Sequence, residues 1–516
     1  MAKRKVLDMS LGNPLHPFRS AARYAFREAA KDLNQYRFMN RGSGDPEIRR
    51  VYEAVSDYFT DRGIYPPRWT GLPLDNLSLM GGGTTEGYNL VIQLLIQDVM
   101  AENKRLNRAL KPAILMPIPT YGFFMHAPES WGIRIVPIER HLQTGGQIKK
   151  NELVAAIRKA HAEDLRIVAY FDSNPNNPLG TIRDESVTRE LADVFLALNA
   201  HYKRIDEEAL VEWQKTQPAI DSDLMDGLTF KPGRIWEGPA SRVRTIDDMV
   251  YDGLEYGARR AFAFAQIPEF YKDAITLAGP SKAGLANMRG GVVIANSNDI
   301  GQLERLRINN NYFPSRATLA ALEAFYSPKE PFASVRKEHL IRMNHDHRFH
   351  GLFMKALING LPTMPEAAED DRRRIVETYA RIKSCGLQKA EERLSRGIGG
   401  IKVITTPEAG FFHLIDFEEL RGGTYQSPRH HWEDAKPFTD AYSLIDILTT
   451  GQSIHSCNGS WMGMGMDSLL TRATFAIPLK DILEYAERLQ RAVGHIRKAE
   501  RRPVRSRNAQ NRSLGL

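Results

Sequence analysis

The chain has 516 residues, of which 42% are apolar and 26% charged, and its formal net charge is +8. It is long enough for two or more hydrophobic cores, because single cores stop growing at about 250 to 300 residues. Its start shows no charged segment followed by an apolar one, and it has no apolar run of the length that spans a bilayer. We therefore expect neither secretion nor a membrane-spanning helix.

Cysteine usage limits the kinds of site that the chain can build. Its only two cysteines are Cys385 and Cys457. Two cysteines exclude a disulfide framework and a metal site made of cysteines alone. We therefore expect a reducing, cytoplasmic environment.

The positive charge is concentrated at the carboxyl end. Residues 497–516 hold seven basic residues and one acid, which leaves a net charge of +2 for the other 496 residues. Such a polar, basic end is typical of a disordered segment, so we predict a disordered tail over residues 500–516. Binding of RNA or of an acidic surface by the tail is the alternative, but the body lacks the charge of a nucleic-acid-binding protein.

From about residue 75, short apolar runs alternate with longer helical patterns. The clearest helical pattern begins near Thr85, where apolar residues recur every three or four positions. This alternation is typical of an α/β domain with a mainly parallel central sheet flanked by helices. The predicted strands are Leu77–Met80, Ala113–Pro117, Ile133–Ile138, Arg166–Phe171, Val243–Met249, Ala274–Ala278 and Gly291–Ala295.

The pattern changes at about residue 330, so we predict a large domain over residues 71–330 and a smaller α+β domain over residues 331–499. Residues 202–242 fit neither pattern and are predicted to be an insertion, either a lid or a dimer contact. The elements predicted for the smaller domain are a charged helical stretch at Val335–Arg396, strands at Lys402–Thr405, Gly410–Phe417 and Leu470–Ala476, and a helix at Lys480–Ala499.

A glycine-rich turn, Gly81–Gly87, follows the first predicted strand. Glycines let the backbone approach an anion, and free N–H groups at a helix start favour phosphate. A nucleotide-binding P-loop is excluded because no Gly-Lys-Ser/Thr follows. The turn is therefore a candidate phosphate site, with a simple tight connection as the alternative.

Polar side chains follow three later strands. Asp172–Gly180 contains two X-Pro steps, which favour an extended turn with defined amide directions. Asp248 and Tyr251, three residues apart, can act as two ligands to one ring. Lys282 and Arg289 then place an amine and a guanidinium in one small-residue loop, Ser281–Gly290. Because ligands bind at strand ends in open α/β sheets, we expect these groups to share one site.

A lysine nucleophile, a phosphate cradle, a carboxylate and amide donors are the parts that a pyridoxal phosphate enzyme needs. In type and order, these motifs resemble those of the class I/II aminotransferases, a family of fold-type I pyridoxal phosphate-dependent enzymes, from about Tyr36 to Leu479. The resemblance implies the fold-type I architecture, with a large cofactor-binding domain and a smaller α+β domain. It also implies pyridoxal 5′-phosphate as cofactor, and residues 1–70 joining the small domain and a dimer interface.

Roles for the loop residues follow from the same resemblance. Lys282 matches the lysine that forms the Schiff base and then moves the substrate proton. Asp248 matches the carboxylate that pairs with the pyridine nitrogen, and Tyr251 and Asn177 match the donors to the phenolic oxygen. The residues that match the phosphate site are Gly83, Thr84, Thr85, Ser281 and Arg289.

Three residues outside these loops also match the family. Tyr121 resembles the aromatic residue that stacks on the cofactor ring, with a packed core tyrosine as the alternative. Arg472 resembles the arginine that binds the substrate α-carboxylate, with Asn177 as a second substrate contact; a plain strand arginine is the alternative. Tyr36 resembles the tyrosine that reaches the phosphate of the neighbouring subunit, which implies a homodimer with shared active sites.

Two features depart from the family pattern. Asn177 and Asp248 are 71 residues apart in the sequence, more than is usual, and this is the reason for the predicted insertion. Met249 stands where many relatives have an acid. Asp252 is therefore a rival to Asp248, but only Asp248 keeps the three-residue spacing to Tyr251.

Some remaining polar residues are interpreted as structural. His345, His347 and His350 lie in a charged helical stretch and are expected to be solvated, so we predict no metal site. Cys457 is expected to be a small buried hydrophobe, although its place in the chain before Arg472 also allows it to border the active site.

The resemblance implies an aminotransferase that moves an amino group from an α-amino acid to a 2-oxo acid by a ping-pong mechanism through Lys282. A lyase, decarboxylase or oxidase on the same scaffold is the nearest alternative, and the long insertion motivates it. A non-catalytic regulator is a further alternative, but residues 1–35 show no helix-turn-helix pattern. The substrate side chain is left open, because the residues that select it are scattered along the chain.

Overall fold

The chain is described by a computed structural model that covers residues 5–31, 45–106, 108–142, 145–216, 242–311, 313–428 and 435–496. Tyr36 and the predicted tail at 500–516 lie outside the described residues. Within them, no helix combines the length and the apolar character needed to cross a membrane. The first elements are strand β1 (Leu7–Asp8) and helices α1 (Arg19–Ala30) and α2 (Pro46–Asp61).

The following residues, up to Tyr326, form a seven-stranded sheet with flanking helices. The strand order is β2-β8-β7-β6-β5-β3-β4. In chain order the elements are β2 (Leu77–Met80), α3 (Thr84–Leu106), β3 (Lys111–Ile118), α4 (Phe123–Ser130), β4 (Arg134–Glu139), α5 (Lys150–Ala162), β5 (Leu165–Ser173), α6 (Glu185–Thr216), β6 (Arg244–Asp248), β7 (Ala274–Ala278), β8 (Gly291–Ile294), α7 (Ser297–Asn311) and α8 (Arg316–Tyr326).

The mainly parallel sheet predicted from the sequence is confirmed. β8 is antiparallel to β2 and β7, and the other pairings are parallel. Every residue of β2, β6, β7 and β8 is buried. A sheet covered on both faces selects apolar residues on both sides of each strand, so the sequence showed the strands as short apolar runs. Each of the seven predicted strands agrees with the structure to within two residues.

The antiparallel β8 brings one more turn to the edge where the parallel strands end. Its first residue, Gly291, pairs with Met80, the last residue of β2. A Cβ on Gly291 would lie 2.5 Å from the carbonyl carbon of Gly83, so only glycine fits at this crossing. The turn before β8 and the turns after β2, β5, β6 and β7 therefore meet at one edge of the sheet.

The rest of the chain builds a smaller unit of helices and short strands. Its four-stranded antiparallel sheet has the order β14-β15-β10-β9, and β13 pairs with the amino-terminal β1. The elements are α9 (Phe332–Asn359), α10 (Glu369–Lys383), α11 (Leu387–Arg396), β9 (Lys402–Val403), β10 (Phe412–Asp416), β11 (Thr424–Tyr425), β12 (Lys436–Pro437), α12 (Ala441–Ile445), β13 (Ile454–His455), β14 (Cys457–Asn458), β15 (Leu470–Thr474) and α13 (Leu479–Gly494).

The structure places the first part of the predicted insertion in α6. Tyr202–Thr216 continue this helix, and Tyr202 is buried with the guanidinium of Arg166 3.6 Å from its ring centroid. Charged residues obscured the helical pattern here, because they form exposed i,i+4 ion pairs such as Lys203–Glu207. Residues 217–241 lie outside the described part of the chain.

Candidate active site

Lys282 lies in a single irregular turn, Ser281–Leu285, directly after β7. The turn depends on Gly284, whose φ is +100°, and a Cβ there would lie 2.6 Å from the carbonyl oxygen of His16. Glycine is therefore required both by the backbone conformation and by the close approach of the amino-terminal segment. The half-buried Lys282 projects from this turn, and its Nζ donates to the carbonyl oxygen of Gly12 at 2.9 Å.

The surroundings of Lys282 favour its neutral form. Burial and the nearby guanidinium of Arg472 lower the pKa of Lys282 to about 8, against the opposing effect of the Asp248 carboxylate. A lysine with this pKa is partly unprotonated near neutral pH and can act as a nucleophile or a base. The same electrostatic coupling places Lys282, Arg472 and Asp248 in one site.

Asp248 is the last residue of β6 and is buried. Its Oδ2 accepts a hydrogen bond from Ser173 Oγ at 3.2 Å, whereas Oδ1 is buried and has no hydrogen-bond partner among the described residues. Burial raises the pKa of Asp248 to about 7. A buried carboxylate oxygen without a partner is costly, so this side chain is suited to meet a polar group that the described residues do not supply.

The rival carboxylate Asp252, and Asp247 beside Asp248, both have other partners. Asp247 accepts from Arg183 Nη2 at 2.6 Å and from the backbone N–H of Phe264 at 2.7 Å. Asp252 accepts from Arg62 Nη2 at 2.7 Å, and also from a tyrosine hydroxyl. Successive side chains of a strand point to opposite faces, so Asp247 and Asp248 cannot serve the same site.

Arg472 and Asn177 meet although 295 positions separate them. Arg472, on β15, is buried, and its Nη1 donates to Asn177 Oδ1 at 2.9 Å. The hydroxyl of Tyr251, close enough for Arg472 to affect its pKa, is buried without a hydrogen-bond partner in the described part of the chain. The predicted substrate arginine, the amide and the phenol thus lie together.

The glycine turn and Arg289 face each other at the start of α3. Arg289 Nη2 donates to the carbonyl oxygen of Gly82 at 2.8 Å, and a Cβ on Gly83 would lie 3.2 Å from the same nitrogen. Thr84 and Thr85 are the first two residues of α3, where backbone N–H groups lack helical partners. Unpaired N–H groups at a helix start and a nearby exposed guanidinium both favour an anion. Ser281, which was also predicted for the phosphate site, directly precedes Lys282 in the turn Ser281–Leu285.

Tyr121 follows β3 and contacts Trp461 edge-on, with ring centroids 4.8 Å apart. The neighbouring Gly122 admits this contact, because a Cβ there would lie 2.3 Å from the carbonyl oxygen of Trp461. Arg472 lies 5.7 Å from the Tyr121 ring. Tyr121 is therefore at the edge of the site rather than in the core, and Trp461 lies beside it.

Sequence reasoning missed two backbone groups of the amino-terminal segment. The carbonyl oxygen of Ser10 accepts from Arg472 Nη2 at 2.6 Å, and that of Gly12 accepts from Lys282. Backbone acceptors leave no signal in side-chain identity, so no motif could have identified them.

The expectation for Cys457 is wrong. Cys457 is only half-buried, and its Sγ lies 3.1 Å from Arg472 Nη2, so the thiol borders the site. The cause is the antiparallel register of β14 and β15, which places Cys457 directly opposite Arg472. Burial raises the pKa of the Cys457 thiol, which therefore stays neutral and can accept a hydrogen bond.

A buried chain of alternating charges lies behind the site. Arg183 bridges Asp172 at 3.0 Å and Asp247 at 2.6 Å, and Arg140 pairs with Asp172. Asp172 and Asp247 are directly opposed on β5 and β6. Two buried acids that face each other on neighbouring strands require a cation between them. The two acidic strand ends therefore predict a buried arginine such as Arg183, which the sequence analysis did not identify.

The expectation that all three histidines of α9 are solvated is wrong. His347 and His350 are buried, and only His345 is exposed. His347 Nε2 accepts from the backbone N–H of Leu15 at 3.1 Å, and burial lowers the pKa of His347 to about 3. The helix is covered by the amino-terminal segment, which its charged composition did not reveal. Within the described ranges no group of three or more potential ligands is arranged to hold a metal.

Comparison with known sequences finds relatives for part of this chain. Residues 5–202 match the family model described as "Aminotransferase class I and II". A 1-aminocyclopropane-1-carboxylate synthase of Prunus mume is 29% identical over 161 residues, which are 31% of this chain and 30% of that protein. Another such synthase, CMA101 of Cucurbita maxima, is 40% identical over 90 residues, 17% of this chain and 19% of that one. These matches span less than a third of each relative's length.

Solved structures share the fold over nearly the whole chain. An aspartate aminotransferase from Rhizobium meliloti superposes with a TM-score of 0.62 at 15% identity, covering 96% of this chain and 92% of that one. An aromatic aminotransferase from Pyrococcus horikoshii gives 0.61 at 15% identity and covers 96% of both chains. The fold class predicted from the sequence and its resemblance to class I and II aminotransferases are therefore confirmed.

Proposed function

Since this chain is related to the class I and II aminotransferases, we propose that it is a pyridoxal phosphate-dependent aminotransferase that moves an amino group from an α-amino acid to a 2-oxo acid by a ping-pong mechanism. The family and the synthases above depend on pyridoxal 5′-phosphate, the cofactor predicted from the sequence. One observation carries the proposal. Lys282, with its lowered pKa, lies within electrostatic reach of both the buried Asp248 and the buried Arg472.

The described residues fit this cofactor. Asp248 Oδ1 and the Tyr251 hydroxyl are buried polar atoms without partners among the described residues, and they suit a ring nitrogen and a phenolic oxygen. Gly83, the start of α3 and Arg289 suit the phosphate. When bound, pyridoxal phosphate supplies an aldehyde that captures amino groups and a ring that withdraws electrons from the substrate Cα.

The residues of the chain then hold the substrate and move its proton. Arg472 holds the α-carboxylate, and Asn177 fixes the guanidinium through its bond to Nη1. Lys282 Nζ is partly unprotonated near neutral pH, so it would take the proton from the substrate Cα and then deliver it to the cofactor. Asp248 would pair with the ring nitrogen of the bound cofactor and keep it protonated, so that the ring could withdraw electrons from the substrate.

The absorption spectrum of the purified protein tests the proposal. The protein supplied with pyridoxal phosphate is expected to show the visible band of a lysine-bound cofactor. The band should fall when pooled amino acids are added, as pyridoxamine phosphate forms, and return with pooled 2-oxo acids. Lys282→Ala is the control that lacks the lysine-bound band. A holoenzyme that never yields pyridoxamine phosphate from a broad amino-acid panel would rule out transamination.

A second candidate is a lyase on the same scaffold, because the curated relatives described above are named as synthases of 1-aminocyclopropane-1-carboxylate. Such an enzyme consumes one amino acid and needs no 2-oxo acid. Turnover measured with each amino acid alone separates the candidates. Product formation without a 2-oxo acid supports the lyase, whereas a strict requirement for one supports the aminotransferase.

We also propose a cytoplasmic homodimer, as the family resemblance implies. Phe26 and Trp69, which flank residues 32–44 in the chain, are 64% and 60% exposed, and their rings offer apolar surface to a second copy. Tyr36, between them in sequence, would then complete the neighbouring site. Sedimentation at several concentrations tests the assembly, and a monomer at all of them would contradict it.

A further inference from the structure

His339 lies on α9, outside the groups that meet the substrate, yet it contacts the turn that carries the proposed catalytic lysine. Its Nε2 lies 2.9 Å from the carbonyl oxygen of Ala283, the residue after Lys282. A carbonyl oxygen can only accept, so Nε2 carries the hydrogen and donates. His339 is 7% exposed, and burial lowers its pKa, which keeps the ring neutral and its tautomer defined by this bond.

The His339 ring is held in place by stacking. It lies parallel to the ring of Phe18, with centroids 4.3 Å apart and planes inclined by 7°. The backbone N–H of Phe18 in turn donates to the carbonyl oxygen of Gly284 at 3.0 Å. Two consecutive carbonyl groups after Lys282 therefore receive hydrogen bonds, one from α9 and one from the amino-terminal segment.

The turn lies in close contact with both donors. Ala283 and Gly284 have non-helical backbone angles inside the turn Ser281–Leu285. A Cβ on Gly284 would lie 3.1 Å from His339 Nε2 and 2.7 Å from the backbone nitrogen of Phe18. The backbone of the turn is thus pressed directly against both donors, and the direction of the Lys282 side chain depends on its shape.

We propose that His339 is a positioning residue for Lys282, which orients the catalytic amine through its hydrogen bond to the Ala283 carbonyl group. This inference rests on the proposed function, since it concerns the lysine that binds the cofactor. The position of Nζ relative to Asp248 and Arg472 sets both the proton affinity of the amine and its reach to Cα. A displaced turn changes both, and small misplacements of a catalytic group lower rates strongly.

Two substitutions separate the hydrogen bond from the packing. His339→Phe keeps an aromatic ring to stack on Phe18 but removes the donor, whereas His339→Gln keeps an N–H donor near the position of Nε2 and removes the ring. We expect His339→Phe to lower kcat by about tenfold and to shift the pH midpoint of the visible band of the lysine-bound cofactor. His339→Gln should restore most of both. If the Phe variant does not fold, His339→Leu replaces it.

His350 provides the matched control on the same helix. It is buried, and its Nδ1 lies 3.3 Å from the carbonyl oxygen of Phe475, away from the Lys282 turn. His350→Phe also removes a histidine-to-carbonyl bond, and it should change the melting temperature while leaving the pH midpoint of the band unchanged.

The outcomes distinguish this inference from the proposed function. If the wild-type protein shows no lysine-bound cofactor, the proposed function fails and the inference fails with it. If the wild-type protein does bind the cofactor, an unshifted midpoint in the donor-free variant overturns the inference alone. An equal shift in His350→Phe, or a lack of rescue by His339→Gln, also overturns it, because the effect would then come from helix packing.

Discussion

The two halves of the active site differ in how they are encoded. Asn177, Lys282 and the Gly82–Thr85 turn follow strands β5, β7 and β2 of the large sheet, and Asp248 ends β6. The opposite side is built from the amino-terminal segment and the small domain, where contacts join residues far apart in the chain. Lys282 reaches Gly12 across 270 positions, and Arg472 reaches Ser10 across 462.

The two halves would also contribute differently to the reaction. The strand-end segments hold the groups that would move protons and bind the ring and the phosphate. Each of these groups belongs to a short sequence motif next to its strand. The other half supplies Arg472, which would bind the substrate carboxylate, together with backbone acceptors, a thiol and a histidine that direct these groups. Substitutions in the first half should abolish the reaction, whereas substitutions in the second half should alter its rate or affinity.

The largest effect is expected at Lys282. Lys282→Ala removes the nucleophile and base, and turnover should fall by about a thousandfold or more. Lys355→Ala is the matched control, because Lys355 is also buried but pairs with Glu366 at 2.7 Å outside the site. Steady-state assays should show the loss only in the first variant. Comparable losses in both would mean that Lys282 acts through stability.

Asp248→Asn should lower turnover by about a hundredfold, because an amide cannot keep the ring nitrogen protonated.

Asp248 should also make the stability of the cofactor-free protein depend on pH. Burial raises the pKa of Asp248 to about 7 from 3.8, so the folded state retains a proton that the unfolded state has lost. Stability from this group therefore falls as pH rises from about 4 to about 7.

Urea unfolding of both cofactor-free proteins at pH 5 and pH 7.5 measures this contribution. The stability of Asp248→Asn relative to the wild type should be greater at the higher pH, since asparagine does not ionise. A relative stability that is independent of pH would show that Asp248 is not shielded from water as the structure indicates.

Arg472→Lys tests the boundary between the two halves. A lysine keeps the charge but not the planar fork that binds a carboxylate through two parallel bonds, so KM for the amino acid should rise by about a hundredfold. Arg488→Lys is the control. Arg488, on α13, is equally buried, but it donates to the carbonyl oxygen of Gln452 and not to Asn177. An unchanged KM in Arg472→Lys would argue against its role as the carboxylate ligand.

The smallest effect is expected at Cys457. Cys457→Ala removes one neutral acceptor from Arg472 Nη2, and such bonds contribute about 1 kcal/mol, so KM should rise by about fivefold with little change in kcat. Cys385→Ala should leave both parameters unchanged, since Cys385 lies between α10 and α11. A large fall in kcat would place Cys457 with the catalytic groups instead.

Several features of this site were predictable from local sequence. Most of the large-domain strands were visible as apolar runs, because burial on both faces leaves little room for polar residues, although β6 is buried and largely polar. Asp248 could be chosen over Asp252 by its spacing to Tyr251, and Gly83 by the need for a close backbone approach. These predictions succeed where a few neighbouring residues state the physical requirement. The catalytic and binding roles themselves stay predictions.

Other features depended on the folded chain. His347 and His350 look solvent-exposed in a charged stretch, yet the amino-terminal segment covers them. Cys457 looks like a small core residue until β14 pairs with β15. Neither the pairing partner of a short strand nor the path of an extended segment is written in local periodicity, because both are decided by long-range packing.

The sequence by itself determined the sheet and the order of the strand-end motifs, because each depends on burial or spacing within a short stretch. The choice of Lys282 as the proposed catalytic lysine came from the resemblance of the whole set of motifs to the aminotransferase family. Tertiary structure alone decided which backbone carbonyl groups meet Lys282 and Arg472, and why His339 lies against the Lys282 turn. Those outcomes depend on contacts between segments that are far apart in the chain, and the local sequence does not specify which distant segments will meet.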